Sequence, residues 1–156
     1  MKIHHLTTIL IISLLGITLP ANGQKCYEFH KTKNCQVEDI EGLKLSSLSR
    51  SHYLEAGKTI TYEVVLYEQK EVFIMCCTEK NYYPLRFKLR SSINGDLIYD
   101  NKYDEYTNSI RLSLDKTELV SIEITIVSNE KNLSALQGTK ACVGLAIYTE
   151  KTKLRN

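Results

Sequence analysis

Apolar side chains recur at every second position through most of this chain. Ile60, Tyr62, Val64 and Leu66 alternate with Thr61, Glu63 and Val65. Leu85, Phe87 and Leu89 alternate with Arg86, Lys88 and Arg90. Ile110, Leu112 and Leu114 flank Arg111 and Ser113, and Ile122, Ile124 and Ile126 flank Glu123 and Thr125. Successive strand residues point to opposite faces, so this pattern predicts strands with one face in a core and one in water. Residues 72–77 and 141–147 are apolar without alternation. Such runs suit central strands covered on both sides, or strands whose outer face is masked by a terminal segment. The stretch from Cys26 to Cys35 is the candidate cover, with residues 26–30 as a short strand.

The punctuation agrees. Ala56-Gly57-Lys58, Glu68-Gln69-Lys70 and Asp115-Lys116-Thr117 are polar turns between strands. Asn94-Gly95 is a hairpin signal, because both residues tolerate positive φ. Residues 128–140 form the longest irregular stretch. The chain beyond the N-terminal leader carries no long 3.6-residue period. About eight short strands at regular spacing predict an all-β fold, an antiparallel β-sandwich.

The first residues follow another rule. Lys2 precedes an apolar run over residues 9–19, then Pro20 and Ala21-Asn22-Gly23. A charged start, a short apolar stretch and small residues at a cleavage site read as a secretory signal peptide over residues 1–23. The run is too short to span a bilayer, and no later stretch is long enough for a transmembrane segment. Residues 24–156 then form a single domain. Cys26 lies two positions too late for a lipoprotein signal. The expected location is secreted or periplasmic. Of 20 basic and 18 acidic residues only Lys2 falls in the leader, leaving a net charge of +1. That balance argues against nucleic acid as a partner.

Export makes disulfides the expected state of the cysteines. There are five: Cys26, Cys35, Cys76, Cys77 and Cys142. An odd number leaves one thiol over, and sequence alone selects none of the fifteen arrangements that pair four of the five. The expectation is Cys26 with Cys35 across a short loop, Cys77 with Cys142, and Cys76 buried and free. The spacing matches no zinc-finger pattern.

Candidate chemistry is sparse. There is no Gly-x-Ser-x-Gly elbow. His30 and His52 are the only histidines beyond the leader. A Cys–His pair using Cys76 or Cys77 would need an accessible, electropositive setting, and an apolar strand does not supply one. The expectation is no catalytic residue. Asn94, Asp96, Asp100, Asn101, Asp104 and Glu105 crowd one hairpin with oxygen ligands of the kind calcium takes. Asp96, Asp100 and Asp104 are the calcium candidates, although these residues are also ordinary turn formers. All ten tyrosines lie beyond the leader, against three phenylalanines and no tryptophan. Tyr82, Tyr83, Tyr99, Tyr103 and Tyr106 fall around the hairpin, and Arg86, Lys88 and Arg90 share one strand face. Tyrosine with arginine suits a recognition surface. Glu63 or Glu123 on a neighbouring strand would neutralise the basic stripe. Asn132-Leu133-Ser134 matches a glycosylation acceptor, and Lys151, Lys153 and Arg155 form a basic tail.

A resemblance follows from the order of these features. The turn over residues 54–59 leads into the strand from Ile60, then the strand ending in Cys77, then Leu85-Arg86-Phe87-Lys88-Leu89. Asn94-Gly95 with Leu97-Ile98-Tyr99-Asp100-Asn101 follows, and Cys142-Val143-Gly144 closes the pattern. This resembles small exported β-sandwich proteins of Bacteroidetes bacteria and is similar to the bacterial pre-peptidase C-terminal-like domain, over residues 45–148. The second cysteine, Cys76, departs from the single one the resemblance implies. The likeness implies an envelope or secreted location and an accessory role, and transfers no active site. Together these readings lead to a non-enzymatic accessory or recognition protein of the cell envelope. The expected partner is another envelope or secreted protein. The alternative is a carbohydrate-binding module for a surface glycan, with calcium as its ion.

Overall fold

The computed structural model describes residues 25–37, 40, 42–127 and 135–150. The signal-peptide reading, the Asn132 acceptor and the basic tail lie outside the described residues. Among the described residues nine strands form: β1 (Leu43–Leu45), β2 (Arg50–Glu55), β3 (Thr59–Leu66), β4 (Val72–Thr78), β5 (Leu85–Ser91), β6 (Leu97–Asp100), β7 (Ser109–Leu112), β8 (Glu118–Ile126) and β9 (Lys140–Glu150). All strand pairs are antiparallel. The chain is a β-sandwich. Among the described residues no helix is long and apolar enough to cross a membrane.

One sheet, sheet B, runs β3-β8-β5-β6. Its burial follows the sequence alternation. In β8 Val120, Ile122, Ile124 and Ile126 are buried, and in β5 so are Leu85, Phe87 and Leu89. The other, sheet A, runs β1-β9-β4-β7, with β2 also on β9. β9 is long enough to carry two edge strands in line. β2 pairs with Lys140 through Leu145, and β1 with Tyr148 through Glu150. Residues 46–49 break the edge between them. There Ser49 stands in for a strand partner: its Oγ accepts from the Ile147 N–H (3.0 Å) and donates to the Ile147 carbonyl (3.3 Å). This leaves no buried backbone group of Ile147 unsatisfied.

The core lies between the sheets. Val72, Ile74 and Cys76 of β4 and Ala141, Val143, Leu145 and Ile147 of β9 meet Phe87, Leu89 and the β8 isoleucines. A second cluster sits on the opposite face of sheet A. Met75, Cys77 and Ala146 pack there against Cys35, with Phe29, Val37, Phe73 and Tyr148 around them. The non-alternating runs are thus central strands with both faces covered, and the N-terminal segment is the cover. It is not a strand, as expected for residues 26–30. It is two 3-10 turns, Phe29–Lys31 and Lys33–Cys35, entered through Glu28 at φ 53°. A segment crossing a sheet face offers no edge to pair with, so local turn bonds such as Lys31 N–H to the Glu28 carbonyl (2.8 Å) satisfy its backbone.

The cysteine pairing corrects the sequence expectation. The same four cysteines pair, but as Cys26–Cys142 and Cys35–Cys77, with Cα atoms 5.3 Å apart in each. The cover runs across two central strands, so each of its cysteines meets a different strand rather than its neighbour in sequence. Cys76 is free and fully buried in the core. Burial pushes its thiol pKa far up, which leaves it protonated and inert.

Gly144 on β9 lies beneath this crossing. A Cβ there would stand 2.6 Å from both the Cys35 and Cys77 sulfurs and 3.0 Å from His30 Cα. Glycine is what lets the second disulfide lie flat on the sheet.

Candidate functional site

Around the hairpin, most side chains read as recognition candidates hold the fold together. Tyr82 packs on the main core. The Tyr83 hydroxyl accepts from the Thr78 N–H (3.2 Å). The Tyr99 ring lies 5.4 Å from Phe87, and its hydroxyl donates to Asp104 (2.9 Å). Tyr106 is partly buried and has left-handed backbone, φ 56°. Tyr103 alone of the five is widely exposed, at 81%.

The basic stripe lies on the outer face of sheet B and is internally balanced. Arg86 forms a two-pronged bond with Asp100, Nε to Oδ1 at 3.1 Å and Nη2 to Oδ2 at 2.5 Å. This holds the Asp100 carboxyl below its ordinary range. Lys88 (3.6 Å) and Arg90 (3.5 Å) share Glu123 on β8. β5 is interior to its sheet, so the stripe guards no edge.

The calcium candidates do not converge. Asp100 is taken by Arg86 and by the Lys102 N–H (3.1 Å). Asp104 accepts from Tyr99, and Asp96 caps the hairpin turn with Asn94. Among the described residues no three acidic, histidine or cysteine side chains gather as a metal site. Asn101 is fully buried and serves the chain instead. Its Oδ1 accepts from the Phe87 N–H, and its Nδ2 donates to the Leu85 and Thr107 carbonyls, all at 2.9 Å. A hairpin rich in turn formers reads in sequence like a ligand cage. The fold uses its oxygens to fix the strands to their own loop.

A cleft of about 470 Å³ opens elsewhere, between the N-terminal segment and edge strand β2. Cys26, Tyr27, Glu28 and His30 form one wall, and residues 49–53 the other. The two disulfides, at Cys26 and Cys35, anchor the segment that carries the first wall. Between them His30 is tied to β2: its backbone N–H donates to Ser51 Oγ (2.9 Å), and its Nδ1 lies 2.7 Å from the same oxygen. Burial lowers the His30 pKa, which favours its neutral ring. Lys25 contacts one of the lining residues, its Nζ 3.2 Å from the Tyr53 hydroxyl and 5.0 Å from the ring centre. Tyr27 is 78% exposed at the rim, and Arg50 and His52 are exposed on β2.

Sequence reasoning did not select this cleft. Tyr27, Ser51 and Tyr53 carry no motif, and they meet only because the cover folds back over residues distant in sequence. One signal was present: His30 and His52, the only histidines after residue 23, both line it.

No family model matches this chain, and no curated protein does. Among solved structures it is similar to PliG of Aeromonas hydrophila, a periplasmic lysozyme inhibitor of g-type lysozyme. The TM-score is 0.46 at 15% identity, over 73% of this chain and 93% of that one.

Proposed function

We propose that this chain is an exported, non-enzymatic recognition protein of the cell envelope, and that it engages a protein partner through the cleft between its N-terminal segment and β2. One observation carries this reading. Two disulfides of long sequence separation, 116 and 42 residues, hold the segment that carries Tyr27 against edge strand β2, whose Ser51 and Tyr53 lie on the covered face. Tyrosine is among the side chains on which protein interfaces concentrate their binding energy. A surface ordered before binding also loses less entropy on association. Disulfides persist in oxidising compartments, which agrees with the leader read over residues 1–23. Membership of the small exported sandwich proteins of Bacteroidetes bacteria belongs to the same proposal.

The contact between Ser51 and His30 does not argue for catalysis. An activated nucleophile needs a base that a third group orients. Among the described residues none hydrogen-bonds the far nitrogen of His30. A glycan-binding module is the second reading. It is favoured by exposed Tyr27, beside Tyr53 and the polar Ser51, as a stacking platform.

The test is mild crosslinking of the tagged protein in its native envelope, followed by mass spectrometry. A single dominant protein, lost in the Tyr27→Ala/Tyr53→Ala variant, is the expected result. No protein partner, with binding on a glycan array that the same variant abolishes, replaces this reading with the second.

A further inference from the structure

The free edges of the two sheets are not alike. β1 has three residues and carries Lys44, β6 has four and a register shift where it meets β5, and β7 has four with Arg111 among them. β2 has six, with Arg50 and His52, and the N-terminal segment is tied to it at Ser51. Short length, positive charge, bulges and covering segments are the usual devices that keep a strand edge from pairing with another chain. β3 has none of them. It runs eight residues, Thr59–Leu66, in unbroken register with β8, and its one charge is Glu63. It ends sheet B, and among the described residues no other strand pairs with it.

The direction of the hydrogen bonds tells which groups this edge presents. The Leu119 carbonyl accepts from the Ser92 N–H (2.9 Å) and the Val127 N–H donates to the Pro84 carbonyl (3.3 Å), so the odd-numbered positions along β8 face β5. The Ile126 carbonyl points the other way and accepts from the Gly57 N–H (3.0 Å). Backbone groups of an antiparallel strand alternate in direction. Ile60, Tyr62 and Val64 therefore bond to β8, and the N–H and carbonyl groups of Thr59, Thr61, Glu63 and Val65 aim outward. The side chains of those four are exposed as well. Val65 is 41% exposed opposite Leu119, and Tyr67, just past the strand, is 62% exposed. On the core side Ile60 and Tyr62 are only partly buried.

We propose that β3 is a dimerisation edge, which pairs antiparallel with β3 of a second copy of this chain about a two-fold axis at Tyr62. In that register Thr61 lies opposite Glu63 of the copy, Thr59 opposite Val65, Ile60 opposite Val64, and Tyr62 opposite its own counterpart. Outer-face positions meet outer-face positions, and core-side positions meet core-side ones. Every outward backbone group of the four residues finds a partner, and the one charge of each strand meets a threonine. Other axes fit less well. An axis at Glu63 sets two carboxylates directly opposite, which is unfavourable. An axis at Thr61 or Val64 carries Val65 or Thr59 past the end of the partner strand. A strand edge that complements itself in this way makes an isologous, closed pair. Arg50 of β2 lies near Tyr62 from the facing sheet, and its repulsion from the copy across the axis keeps the association in the micromolar rather than the nanomolar range. The edge belongs to the other sheet from the cleft, and the proposal does not rest on the cleft as a partner site.

The test is sedimentation equilibrium of the oxidised protein from about 1 to 500 μM, where a reversible dimer is expected. Amide hydrogen exchange at the two ends of that range locates the contact. Exchange at Thr59, Thr61, Glu63 and Val65 should slow as concentration rises, while Ile60, Tyr62 and Val64 stay slow throughout. Charge at one exposed position tests the register. Thr61→Glu sets a carboxylate opposite Glu63 of the copy twice over and should weaken the dimer about tenfold, whereas Thr61→Lys should tighten it. The exchange measurement uses the unaltered protein, so it decides the matter even if a replacement fails to fold. A monomer across the whole range, concentration-dependent protection that falls elsewhere than on β3, or equal dimer affinity in folded Thr61→Glu and Thr61→Lys each overturns the proposal. Protection of the β3 amides only when an envelope protein is added to a monomer overturns it too, and gives the edge to a different chain. None of these outcomes bears on capture through the cleft, which the Tyr27→Ala/Tyr53→Ala variant tests separately.

Discussion

The outer faces of the two sheets show two ways to finish a β-sandwich. On sheet B the outward positions are Thr61, Glu63, Arg86, Lys88 and Glu123, and water with shared ion pairs completes them. On sheet A they are Phe73, Met75, Cys77, Cys142, Gly144, Ala146 and Tyr148, and a folded-back segment completes them. The first face needs nothing from elsewhere in the chain. The second needs the N-terminal segment, and the segment needs the face, because it forms no strand of its own. A non-repetitive cover gains too little from turn bonds to offset its ordering entropy. Buried apolar contacts and covalent links supply the rest. The same dependence makes the cleft, since the cover brings its wall to β2 from far along the chain.

The largest expected effect breaks the covered face. Replacing Cys35 and Cys77 together by Ala should cost about 4 kcal/mol, the chain-entropy value for a loop of this length. Gly144→Ala alone should cost about 1–3 kcal/mol, as an overpacked site does. Combined with the cysteine replacements it should cost clearly less, since the two sulfurs it meets are gone. Urea unfolding of all the variants under oxidising conditions measures the cycle. Strict additivity would show that the disulfide does not press on Gly144.

The solvated face should respond to acid instead. Asp100 ionises below its ordinary value of 3.8 because Arg86 binds its carboxylate, so the folded state favours the charged form. Its contribution is complete above the unfolded pKa and is lost as pH falls below about 4. Arg86 is partly exposed, which limits the effect to about 1–2 kcal/mol. Asp100→Asn should lower stability at pH 7 and flatten the acid limb of the stability curve. Parallel curves for the two proteins between pH 2 and 7 would reject the assignment.

The smallest effect sharpens the contrast. Glu123→Gln removes the shared partner of Lys88 and Arg90, and should cost less than about 1 kcal/mol. Added salt should shrink the difference, because exposed pairs are screened. Thermal melts at low and high salt read both. A loss as large as that of the disulfide would mean the outer face of sheet B carries structural weight that its exposure does not indicate.

Strand positions, the sandwich class and the double burial of residues 72–77 and 141–147 were legible in the sequence. The basic stripe was legible in part: of Glu63 and Glu123, Glu123 pairs with Lys88 and Arg90, while Arg86 takes Asp100 instead. Each depends on the period-two geometry of a strand, which acts between near neighbours and leaves its imprint on successive residues. Disulfide partners and the cleft were not legible. Cys26 meets Cys142 and Cys35 meets Cys77 because the cover crosses β9 and β4, and no local pattern records which strands lie beneath it. The hairpin misled for the opposite reason. Asn101, Asp100 and Asp104 are residue types that suit both an ion and a turn, and only the positions of Phe87, Arg86 and Tyr99 decide between them. Periodicity determined which residues face a core. Contacts between residues far apart in sequence decided which strands the cover crosses and which cysteines it meets.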